Sequence, residues 1–132
     1  MEKENKYLFI EFDQKKSLLT AEWIPAVVSL ADMKVEMMRM LDVIKKNKPK
    51  NVLVDSRHFK LRGNDDVQYW INFKFIPLLI DEGIDKYAIV VNEQTYKELI
   101  GKDEPDLIDL SEFMTVNYFT EGKTAEAWLS EK

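Results

Sequence analysis

A mixed, mostly parallel α/β sheet, opened by a β-hairpin and covered by about four helices in a single domain spanning residues 1–132, is the fold class this sequence predicts. Three observations carry that expectation. Two β-favouring runs, 6–13 and 16–22, flank the polar turn Asp13-Gln14-Lys15. Two compact aliphatic runs, Asn51-Val52-Leu53-Val54-Asp55 and Tyr87-Ala88-Ile89-Val90-Val91, have the all-apolar character of central strands buried on both faces. Segments with helical spacing separate these runs, and strands alternating with helices imply parallel pairing through right-handed crossovers.

The elements follow in order. After the hairpin, Trp23 to Val28 is expected to be a connection, because Pro25 lacks a ladder donor although Val27 and Val28 favour extended structure. Ser29 or Asp32 can cap a long helix on which Met33, Met37, Met40, Leu41 and Ile44 form one apolar stripe. Lys45, Lys46 and Lys48 suit the negative end of its dipole, and Pro49 stops it. The strand 51–55 leads into a loop from Ser56 to Gly63, after which Asn64 is expected to cap a second helix. Asp65 and Asp66 stand in its first turn, Val67, Trp70, Ile71, Phe75, Leu78 and Leu79 on its buried side, and Pro77 should kink or interrupt it before Gly83 ends it. Beyond the strand 87–91, Asn92 caps a short helix with Tyr96, Leu99 and Ile100, closed by Gly101. Lys102 to Asp109, with Pro105, is expected to be a mobile acidic loop. A last strand, Phe113 to Phe119, precedes a helix capped by Thr120 that buries Ala125, Trp128 and Leu129.

Composition narrows the chemistry. With 132 residues, 45% of them hydrophobic, the chain can fill one core without a disulfide or a metal. A formal charge of −5 argues against nucleic-acid binding, which needs clustered Lys and Arg to neutralise phosphates. The absence of cysteine removes disulfides, thiolate–zinc and iron–sulfur sites and thiol nucleophiles. The charged start Met1 to Lys6 and the short apolar run after it fit neither a signal peptide nor a membrane span, so a cytoplasmic location is expected.

Three local stretches carry a family resemblance: Lys48-Pro49-Lys50-Asn51-Val52-Leu53-Val54-Asp55-Ser56-Arg57; Gln68-Tyr69-Trp70-Ile71 ahead of Pro77; and Tyr118-Phe119-Thr120 followed by Ala125-Glu126-Ala127-Trp128-Leu129. Together with the element order, they resemble the STAS/SEC14-like (SpoIIAA-like) domains, a set related in fold to the anti-sigma-factor antagonists, and in particular its small uncharacterised bacterial members. The resemblance implies a STAS/SpoIIAA-like fold and a non-enzymatic module. Relatives in the wider superfamily act as phospho-switched protein partners or hold apolar or nucleotide ligands. In the antagonists a phosphorylatable Ser starts the helix after the Asp-terminated strand. Here that helix start reads Asn64-Asp65-Asp66, and Ser56 comes earlier, directly after Asp55.

Asp55-Ser56-Arg57-His58 brings an acid, a hydroxyl and the one histidine of the chain together. A hydrolase needs these three groups interlocked on a strand–turn–helix elbow, which the sequence lacks, so no catalytic residue is assigned. Scattered carboxylates with one histidine lack zinc spacing, and Asp103-Glu104-Pro105-Asp106 lacks the turn glycine of a calcium loop, so neither metal nor cofactor is expected. The binding surface is expected around Asp55, Ser56, Arg57, His58, Lys60, Arg62 and Asn64, beyond the carboxyl end of a central strand, where open α/β sheets bind their ligands. A protein partner or an anionic or lipid-like small ligand would suit Arg57 and Arg62 there; pairing of these arginines with Asp65, Asp66 or nearby acids is the plainer alternative. The methionines Met33, Met37, Met38 and Met40 fit a core face, or else an adaptable groove for an apolar ligand, which would make the chain a small carrier or sensor. Trp23, Trp70 and Trp128 divide in the same way. A homodimer through an exposed helix or sheet edge is compatible with the sequence, which fixes neither symmetry nor stoichiometry.

Overall fold

Residues 7–61, 67–100 and 113–131 are described by the computed structural model. Strands β1 (Leu8–Asp13) and β2 (Leu18–Trp23) form the antiparallel hairpin, with Leu8 opposite Trp23 and Asp13 opposite Leu18. Strands β4 (Asn51–Asp55), β6 (Lys86–Val90) and β7 (Thr115–Phe119) complete a five-stranded sheet in the order β1-β2-β4-β6-β7, all parallel after β2. Two short strands, β3 (Ala26–Val28) and β5 (Phe59–Leu61), pair in parallel as a second sheet. The expected connection at 23–28 and the loop after Asp55 therefore both contain strand. Pro25 ends β2 rather than all extended structure, and the strand 51–55 is the fourth of the chain.

Helix α1 (Leu30–Asn47) begins where the Ser29 hydroxyl accepts from the Asp32 amide at 3.1 Å. It ends at Lys48, whose N–H makes a last helical bond to the Ile44 carbonyl at 2.8 Å and whose φ of 50°, in the left-handed region, turns the chain out of the helix, and Pro49 prevents a further turn. Met33, Met37 and Met40 are buried, while Met38 is 40% exposed on the opposite side, so three of the four methionines are core.

Helix α2 is continuous but not uniform. An α turn, Val67–Trp70, passes into a π turn, Ile71–Phe75, and returns to α-helix at Ile76–Asp81. Pro77 accounts for this: it has no N–H for the Phe73 carbonyl and its ring crowds that carbonyl, so the preceding turn widens and the Ile76 N–H bonds to Ile71 instead. Gly83 leaves the helix at φ 82°, a conformation that favours glycine. Asn92 caps α3 (Glu93–Ile100) through a 2.8 Å bond from the Thr95 amide. In α4 (Gly122–Ser130) the N-cap is Glu121, without a side-chain bond, and not Thr120 as the sequence suggests. Arg62, Gly63, Asn64, Asp65, Asp66, Gly101 and the expected loop 102–109 lie outside the described residues, as do the side chains of Val67, Leu99 and Ile100.

Alternation along the strands loads the two sheet faces differently. One presents Leu8, Leu19, Ala21, Val52, Val54 and Tyr87 to α1 and α2, whose Met40, Ile44, Phe75 and Leu79 complete the main core. The other presents Leu18, Leu53, Ala88, Val90 and Phe119 to Ala125 and Leu129 of α4. Lys86 fastens the end of α4, donating to the carbonyls of Trp128 at 2.9 Å and Glu131 at 2.8 Å, with its ammonium 5.2 Å from the centre of the Trp128 ring. No helix among the described residues is long and apolar enough to cross a membrane.

Candidate functional site

The carboxyl ends of the parallel strands meet at one edge of the sheet, and β4 delivers Asp55 to its middle. Extended geometry continues one residue further: the Ser56 N–H bonds to the Val90 carbonyl at 2.7 Å, and the Ser56 carbonyl accepts from Phe59 at 3.2 Å, closing the turn into β5. Within this turn Arg57 folds back on Asp55. Its Nη2 lies 2.6 Å from Oδ2, its Nε 3.0 Å from Oδ1, and its own amide 3.1 Å from Oδ1. This is a fork-to-carboxylate pair, the strongest of the ordinary ion-pair geometries.

Asp55 is only 8% exposed. Burial pushes its carboxyl up, but the hydrogen bonds from Arg57 and the charges of Arg57 and His58 outweigh that, and the net shift is downward. The guanidinium is raised in turn, first by its hydrogen bond to Asp55 and then by that charge, with Glu22 adding a smaller push. Glu22 and Asp55 are register neighbours on β2 and β4, which brings Glu22 near enough for its charge to act on Arg57 without a direct contact. The expected pairing partners, Asp65 and Asp66, are outside the described residues; the partner that is seen stands two positions before Arg57.

The remaining predicted residues divide. Ser56 is half-buried and His58 exposed in the turn; Lys60 is exposed on β5. Arg62 and Asn64 lie outside the described residues. The Asp55 carboxylate, which a hydrolytic relay would aim at His58, is committed to Arg57. Among the described residues no group of three or more His, Asp or Glu is placed to hold a metal ion.

Replacing Asp55 by Asn should cost about 1–2 kcal/mol, because Arg57 keeps partial solvation when its acid is lost. Arg57→Lys should lose a similar part, since an ammonium cannot make the fork. Urea denaturation of both variants measures this.

A second polar centre escaped the sequence reading. Glu36, 5% exposed on α1, accepts from the amides of Tyr7 at 2.9 Å and Leu8 at 2.8 Å, and from Arg39 Nε at 3.0 Å. Arg39 Nη2 donates to the Leu8 carbonyl at 2.8 Å. The pair thus supplies Leu8 of the edge strand β1 with both an acceptor and a donor, as a neighbouring strand would. The available signal was phase: position 36 falls within the Met33, Met37 and Met40 stripe, where a lone acid must find partners.

A sheet opened by an antiparallel hairpin, continued by parallel strands and flanked by helices on both faces, defines a SpoIIAA-like α/β fold. The chain is similar over 98% of its length, and over 98% of the other chain, to the crystal structure of an uncharacterized protein from the DUF3478 family with a SpoIIAA-like fold from Shewanella loihica PV-4, with a TM-score of 0.53 and 14% identity. At that identity the likeness is one of fold. No family model and no curated protein matches the chain.

Proposed function

We propose that the chain is a non-enzymatic binding module that engages a protein partner through the surface beyond β4. The observation that carries this reading is the outward pairing of Val27 with Lys60. These two are register partners on β3 and β5, both exposed, with Val27 at 51%. The turn leading to them is pinned by the Asp55–Arg57 fork, so the surface is pre-organised and little ordering entropy opposes docking. An aliphatic side chain beside a cation suits an apolar and acidic segment of a protein. A free anion is the weaker choice of ligand, because the Arg57 fork is already committed to a carboxylate.

The carrier reading gains nothing from the groove of about 560 Å³ beside the hairpin, which is open and lined mostly by polar and charged side chains, among them Glu11, Lys15, Lys16 and Glu126, with Phe12 and Leu18 as its apolar part. An apolar ligand calls for an enclosed apolar cavity.

Native mass spectrometry of the protein purified from its own host identifies the partner, a second copy appearing as a doubled mass. Val27→Asp combined with Lys60→Glu should then weaken that complex at least tenfold. Full retention of binding by this double variant would reject the surface.

A further inference from the structure

A different part of the molecule is left exposed by the described helices. Helix α4 packs on β4, β6 and β7 and reaches β2 at Leu18, and no other helix among the described residues lies over the same face of β1 and the rest of β2. Alternation places Phe9 and Glu11 of β1, and Thr20 and Glu22 of β2, on this face, since their neighbours Leu8, Leu19, Ala21 and Trp23 point into the main core. Phe9 is 57% exposed, in register with Glu22, and Ile24 follows one strand position beyond β2, also exposed. Glu126 of α4 borders the strip. Among the described residues Glu11, Glu22 and Glu126 form no ion pair, although the Arg57 charge acts on Glu22 from the end of β4. The cations Lys15 and Lys16 stand at the hairpin tip, at the end of the strip.

We infer that this strip seats a basic amphipathic helix of a partner protein, independently of the surface beyond β4. Its dimensions suit one helix. Two strands about 4.8 Å apart make a strip roughly 10 Å wide, which is the diameter of a helix with its side chains. Strands of six residues, at about 3.3 Å each, run for roughly 20 Å, matched by about 13 helical residues at 1.5 Å. The charge selects the partner. Phe9, at the end of the strip far from the hairpin tip, offers an apolar contact with Ile24 beyond it, and Glu22 across from it and Glu11 along from it complement Lys or Arg beside an apolar stripe. A second copy docked face to face would set these acids against their own equivalents. Anionic lipid and nucleic acid would meet the same repulsion.

The test uses a fluorescein-labelled 14-residue helical peptide of Leu and Lys, with the equivalent Leu/Glu peptide as control, in fluorescence anisotropy and in NMR shift mapping on the wild-type chain. Binding of the Leu/Lys peptide is expected, with shifts centred on Phe9, Glu11, Thr20 and Glu22. Phe9→Ser combined with Glu11→Lys, two exposed positions whose variant should melt like the wild type, should weaken it at least tenfold, whereas Val27→Asp with Lys60→Glu should leave it unchanged. Shifts centred elsewhere, equal binding of the Leu/Glu peptide or no binding would overturn the inference. So would shifts at the same residues on simple concentration of the chain, which mean self-association, or capture by anionic phosphatidylserine vesicles.

Discussion

Replacing Glu36 by alanine is expected to destabilise the protein by about 3 kcal/mol, far more than a typical charge-to-alanine change on a helix. The carboxylate accepts three hydrogen bonds from Tyr7, Leu8 and Arg39. Its removal leaves the amides of Tyr7 and Leu8, at the entry to β1, without an acceptor and a half-buried guanidinium without its anion. The first residues of β1 should detach before the rest of the sheet unfolds, with faster amide exchange at Leu8 than at Leu19 in the variant. The pH dependence follows from the same geometry. Burial raises the Glu36 carboxyl, but Arg39 and the two amides lower it more, so its folded value lies below the ordinary 4.5. A depressed carboxyl contributes stability that is complete above the unfolded value and is lost as pH falls through the folded one. The gap between wild type and Glu36→Ala in urea melts should therefore be full at pH 7 and shrink below about pH 4. A gap that stays constant down to pH 3 would show that the side chain acts through packing and not through charge.

That centre also marks where sequence and fold part company. Patterns confined to one element were readable: the hairpin around Asp13-Gln14-Lys15, the Ser29 cap, the stop at Lys48-Pro49, the central runs 51–55 and 87–91, and the aspartate at a strand end. Each depends on contacts a few residues apart, or on a face whose period the sequence displays. Glu36 depends on Tyr7 and Leu8, which lie 29 and 28 positions away. Strands β3 and β5 are three residues each, too short to show a period, and their pairing joins Ala26 to Phe59 through the fold alone. The Asp55–Arg57 fork is local, yet it depends on whether the turn folds back, and spacing does not decide that. Of the candidate site, the sequence located the strand end and its charged turn. It offered Arg57 both as an anion receptor and as the partner of a nearby acid, and the structure pairs it with Asp55.

The two exposed surfaces differ in how they are built. The surface beyond β4 rests on a turn pinned by an ion pair, so its shape should persist in the unbound chain. The hairpin strip rests on β1, an edge strand whose entry is held by Glu36 and Arg39. Its ability to bind therefore depends on that clamp, and Glu36→Ala should weaken peptide capture there while sparing the β4 surface.

Phe75→Ala is the other large effect expected, at about 3–5 kcal/mol. Phe75 is fully buried, and its ring stacks on Trp70 with centroids 5.6 Å apart. It ends the π turn, where the extra residue in the turn shifts the phase of all that follows, so that Phe75, Ile76 and Leu79 join the main core together. Truncation removes the ring from the junction of α2 with the sheet. It also strips one side of Trp70, over whose ring the Lys34 ammonium lies 5.5 Å from the centre. Phe75→Leu should recover about half of the loss, since leucine keeps apolar volume without the stacking. Chemical denaturation followed by tryptophan fluorescence reads both quantities, because Trp70 reports the site directly. A loss below about 1 kcal/mol for Phe75→Ala would mean that α2 collapses into the space, and that the π turn is a soft joint rather than a fixed part of the core.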